Sequence, residues 1–90
     1  MKKYILNKQV KLKHDEASDK FYAFCIETGD HFILNKTGYN ILRYFDEGKD
    51  LTEIVELIHE ESNVDEKTVL TDTLNFLEKS EKNGILVHIK

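Results

Sequence analysis

Residues 31–62 read HFILNKTGYNILRYFDEGKDLTEIVELIHEES, and the order of elements within them decides the fold. His31 to Leu34 has the pattern of a short apolar strand, and it runs almost without a linker into a helical pattern. Gly38, Ile41, Leu42 and Phe45 recur at i, i+3, i+4 and i+7, the spacing that lines one face of a helix. Asn35 is placed to cap its start, and Gly48 lies just past its end. Asp50 and Glu53 then have capping-box spacing, which predicts a second helix with Leu51, Ile54, Val55 and Ile58 as its buried stripe and an end near Ser62 and Asn63.

Working outward, Asp65 can cap a third helix, with Val64 and Val69 spaced as a hydrophobic staple across it. Leu70, Leu74 and Leu77 mark its expected inner face, and Asn83 and Gly84 stop it. In the tail GILVHI, Ile85, Val87 and Ile89 alternate as a last short strand or extended segment. Upstream, Val10 and Leu12 alternate with Lys11 and Lys13, the period of a half-exposed strand, until HDEASDK breaks the pattern. FYAFCIE is a second strand with aromatic residues on both faces, and Thr28, Gly29 and Asp30 supply a turn into HFILN, making a hairpin. The expected class is α+β: a winged helix-turn-helix in which a three-stranded antiparallel sheet precedes three helices.

Ninety residues without proline, internal repeat or Gly/Ser-rich linker predict one domain over 1–90, large enough for a modest core and small for a multi-substrate cleft. A binding module is therefore favoured over an enzyme. With 13 basic and 17 acidic residues the net charge is -4. Lys2, Lys3, Lys8, Lys11 and Lys13 precede any acid, whereas Glu53, Glu56, Glu60 and Glu61 crowd one later segment. The acidic balance argues against nucleic acid as the default partner. The single cysteine, Cys25, sits in a strand pattern with no disulfide partner and reads as a small buried thiol in a reducing cytosol. The only apolar run near the start, YILN, is far short of a signal-peptide core or a membrane span, so a soluble cytoplasmic chain that avoids membranes is expected.

No chemistry assembles from the remaining candidates. HEESN, at His59 to Asn63, misses the helical zinc-protease motif because Asn63 stands where the second histidine would be. His14, His31 and His88 are scattered, and no Ser/His/Asp set or Gly-rich phosphate loop is present. No catalytic residue, cofactor or metal site is assigned.

The chain resembles the PqqD-like family, small domains that recognise the leaders of ribosomally made peptides before modification. The resemblance is carried by FILNKTGYNILRYFDEG, by DLTEIVELI and by TDTLNFLEKSEKNGIL, and spans residues 10 to 87. Thr73 and Ser80 depart from it, standing where the family pattern usually carries aliphatic residues. The resemblance implies a non-catalytic adaptor. A precursor leader joins the third strand as an added antiparallel strand, and its side chains enter a groove toward the third helix. The partners implied are that leader and a peptide-modifying enzyme or leader protease. The implied peptide-binding residues are His31, Phe32, Ile33 and Leu34 on the edge, and Val69, Asp72, Thr73, Phe76 and Lys79 on the helix flank. Against this, the four strand residues could simply pack, Phe76 suits a core position equally well, and exposed charges such as Asp72 and Lys79 are usually solvated. The alternative is a winged-helix DNA-binding regulator, but Asp65 to Lys82 carries five acids against three lysines, the wrong sign for a recognition helix.

Overall fold

Each helix starts on the side chain that the sequence offers as its cap. In the computed structural model, which describes residues 3–89 in backbone and 4–88 in side chain, eight elements follow one another: β1 (Lys3–Leu6), β2 (Val10–Asp15), β3 (Lys20–Cys25), β4 (His31–Leu34), α1 (Lys36–Asp46), α2 (Leu51–Ser62), α3 (Glu66–Lys82) and β5 (Leu86–Ile89). Met1, Lys2 and Lys90, and the side chains of Lys3 and Ile89, lie outside the described residues. Asn35 accepts from the Gly38 N–H at 2.7 Å, Asp50 from the Glu53 N–H at 2.9 Å and Asp65 from the Thr68 N–H at 3.3 Å, satisfying donors that a helix start leaves open. At the end of α3, Gly84 has φ +74°; its N–H bonds the Glu81 carbonyl at 3.1 Å, and the Ile85 N–H bonds that of Ser80 at 2.9 Å. That pair of bonds is a Schellman ending, and it turns the chain directly into β5.

The sheet β2–β3–β4 is antiparallel, with Leu12, Ala23 and Phe32 in register across it. The three helices follow, so the winged helix-turn-helix class is the one observed. One element pair was not legible: β1 and β5 form a separate two-stranded antiparallel sheet, pairing Tyr4 with His88 and Leu6 with Leu86. The Asn7 side chain fastens it by donating to the Gly84 carbonyl at 2.8 Å, and the Tyr4 ring meets Phe45 edge-on at 6.0 Å. Among the described residues no helix is long and apolar enough to cross a membrane.

The core joins Val10 and Ala23 of the sheet to Ile41, Leu42 and Phe45 of α1, Ile54, Val55 and Ile58 of α2, and Leu77, Ile85 and Leu86. The expected inner faces of α1 and α2 are therefore the observed ones, with Leu51 partly buried. The face of α3 is different. Leu70 and Leu74 are 39% and 47% exposed, and the buried residues are Val69, Thr73, Leu77 and Ser80. Both stripes share the helical period, so side-chain type misled. Positions 73 and 80 carry small side chains that fit where the helix packs closely, and no buried side-chain N or O among the described residues lacks a partner. The tail is shifted in the same way: Leu86 is buried and Val87 is exposed, because Ile85 still belongs to the helix ending and the strand begins one residue later.

This phase makes Leu77→Ala and Leu74→Ala unequal. Urea unfolding should show Leu77→Ala losing about 2–5 kcal/mol, the range for emptying a core leucine. Leu74→Ala should lose less than about 1 kcal/mol, as for a residue largely in water.

Candidate functional site

β4 lies at one edge of its sheet, bonded to β3 on one side only. Which of its backbone groups are free follows from the ladder. The Cys25 N–H bonds the Asp30 carbonyl at 2.9 Å, so alternation along an antiparallel pair makes Ala23/Phe32 and Phe21/Leu34 the mutually bonded pairs. The N–H and C=O groups of His31 and Ile33 then point away from β3, toward the free edge. Their side chains share the outer face of the sheet, where Ile33 is 76% exposed, while Phe32 and Leu34 pack against the core. Tyr22, Phe24, Lys11 and Lys13 lie on that same outer face and, with His31, line a shallow depression of about 500 Å³.

Beside the end of β4 is a groove of similar volume. One wall is α3, through Asp72, Thr73, Phe76 and Lys79. The opposite wall is the first turns of α1, through Thr37, Gly38 and Ile41, and the groove closes on Ser62 and Val64 at the junction of α2 and α3. Gly38 lets the walls approach: a Cβ there would stand 3.0 Å from Cε1 of Phe76 and 3.1 Å from Oδ1 of Asn35. Thr73 and Val69, expected on the helix flank, are buried and form the floor; Phe76 is half-buried against Gly38, and Asp72 and Lys79 stand exposed on the rim.

The five helix residues read from the sequence thus meet in one groove, and the four strand residues do not line it. They join it through Asn35, which follows Leu34 directly, caps α1 and lines the groove itself. Asn35, Gly38 and Ile41 were missed as site residues. The available signal was Gly38, a glycine in an otherwise apolar helical stripe, which is what close approach requires.

The polar side chains have structural duties. The Tyr44 hydroxyl donates to Glu61, tying α1 to the end of α2, and this bond together with burial raises the tyrosine pKa. His59 Nδ1 is hydrogen-bonded to the Val64 carbonyl, closing the turn after α2. No group of three or more His, Cys, Asp or Glu side chains that could hold a metal occurs among the described residues.

The sequence model of the family described as "Coenzyme PQQ synthesis protein D (PqqD)" matches residues 24–86, well over half of the chain. The chain belongs to the PqqD family. The match takes in β4, all three helices and the first residue of β5, the segment that forms the edge and the groove. Two solved structures are similar over nearly their whole length. The one titled "TbiB1 in Complex with the TbiA(beta) Leader Peptide" is 30% identical with a TM-score of 0.81, covering 91% of this chain and 93% of that one. "Lasso peptide synthetase B1 complexed with the leader peptide" has a TM-score of 0.82 over 94% of this chain and 98% of that one, at 14% identity, a likeness of fold alone. No curated protein matches in sequence.

Cys25 of this PqqD-family chain is half-buried rather than fully enclosed, on the core side of the sheet opposite Val10. Its pKa is lowered by hydrogen bonding to Thr28, the side chain first and the N–H second. The thiol lies outside both the groove and the outer-face depression. Cys25→Ser should lower the urea midpoint slightly and leave peptide affinity within a few fold in a calorimetric titration.

Proposed function

We propose that this protein is a non-catalytic adaptor that captures the leader of a ribosomally synthesised precursor peptide and presents the attached core to a modifying enzyme or leader protease in the cytoplasm. The observation that carries this reading is the free edge of β4 opening beside a half-apolar groove. An extended peptide on that edge gains ladder hydrogen bonds from His31 and Ile33 and places alternate side chains over the groove, the division between affinity and specificity that strand addition provides. The family membership and the likeness to a chain solved with a leader peptide support it. Chemistry belongs to the partner, and the adaptor's contribution is effective concentration, because a tethered core meets its enzyme intramolecularly. Duplex DNA is disfavoured, since the acids of α3 would face a polyanion.

Titration calorimetry with the leader of the cognate precursor should give a dissociation constant of about 1 µM, near -8 kcal/mol. Mixed-sequence duplex DNA should give no heat at physiological salt. Salt-sensitive DNA binding without peptide binding would overturn the reading.

The ladder makes position 33 a sharp probe of the mode of binding. Proline is tolerated on an edge strand where its missing N–H would face solvent, so Ile33→Pro should keep the bonds between β3 and β4 and remain folded by circular dichroism. It nevertheless removes a donor that the incoming strand needs. Its affinity for the leader should fall further than that of Ile33→Ala, whose edge keeps the donor. Charge reversal at Glu56 and Glu60, exposed on α2, should change affinity by less than about 1 kcal/mol.

A further inference from the structure

Of the residues lining the groove, only Asp72 and Lys79 carry a formal charge, and the charges are opposite. Both side chains are exposed, and the described ion pairs, His14–Asp19 and Lys49–Glu47, involve neither. Seven residues of helix put them about 10 Å apart along the axis of α3, too far to neutralise each other directly. Between them on the same stripe stands Phe76, four residues after Asp72 and three before Lys79, half-buried over the Val69 and Thr73 floor. The wall of α3 therefore presents acid, apolar surface and base in a line.

We propose that the groove reads the charge order of the bound strand: the preferred leader carries a basic and an acidic side chain flanking an apolar one at alternate positions. This rests on the strand-addition reading above, and it names the class of peptide that the same site selects. The spacing agrees. Side chains on one face of a strand recur every 6–7 Å or so, so three alternate positions span about 13 Å, a difference from the helix stripe that lysine and glutamate side chains can absorb. The basic residue sits at Asp72, the apolar residue on Phe76 and Ile41, and the acidic residue at Lys79. A strand of the reversed order meets like charge at both ends of the groove, and like-charge juxtaposition discriminates more strongly than either attraction alone.

The test uses two synthetic peptides of one composition, acetylated and amidated, TIKTLTEIT and TIETLTKIT, titrated into the labelled protein while amide shifts are followed. Strand addition itself is read from movement of residues 31 to 34 with either peptide. Charge reading is the difference between the two affinities, expected to be about three- to tenfold and to shrink in 1 M salt, where exposed pairs are screened. The double variant Asp72→Lys/Lys79→Asp, altered only at exposed positions, should reverse the preference. Equal affinities with the edge residues still moving, or a preference unchanged in the double variant, would overturn charge reading and leave strand addition standing. Failure of both peptides to move residues 31 to 34 would remove strand addition and, with it, this inference.

Discussion

One hydrogen bond, from the Gly38 N–H to Oδ1 of Asn35 at 2.7 Å, stands where the strand, the helix and the groove meet. By accepting that bond Asn35 stops β4 and starts α1 without a connecting loop, so the free edge is held at a set distance from the helix wall. The donor residue has no side chain, and for that reason the Phe76 ring can settle against the first turn of α1. A larger residue at position 38 would displace either the ring or the cap. The edge and the groove are thereby joined through a local interaction, with only Asn35 between β4 and α1.

The sheet divides its side chains between two tasks. Val10, Leu12, Ala23, Phe32 and Leu34 face the helices and join or pack against the core, while Tyr22, Phe24, His31 and Ile33 face solvent together with Lys11 and Lys13. Because side chains alternate along a strand, a peptide added to β4 would present half its residues toward the groove and half on that outer face, level with His31 and Ile33. A carrier built this way can hold its cargo by the backbone and one row of side chains. The other row stays exposed.

The β1–β5 sheet and the end of α3 give the molecule its closure. β5 follows α3 after a Schellman ending, pairs with the N-terminal strand and buries Leu86 under the helices. Tyr4 packs on Phe45 from that sheet, so the first and last strands complete the side of the core that the three-stranded sheet leaves uncovered. This pairing joins residues eighty or more positions apart, and no turn connects the two strands to announce it.

Local chemistry was enough to read the three caps, the glycine endings, the hairpin around Gly29, the buried faces of α1 and α2, and hence the order of strands before helices. These depend on residues within a few positions of one another, whose hydrogen bonds and steric limits act before any tertiary contact forms. The resemblance to the PqqD-like family, not local chemistry, singled out Val69, Asp72, Thr73, Phe76 and Lys79 on α3, and all five line the groove. Tertiary structure alone decided which of two equally periodic stripes of α3 turns inward, selecting Thr73 and Ser80 over Leu70 and Leu74. It also decided that β1 meets β5, and that Gly38 and Ile41 rather than β4 form the facing wall of the groove. Periodicity defines a face but not its direction, and the space left between packed elements determines which side chains fit.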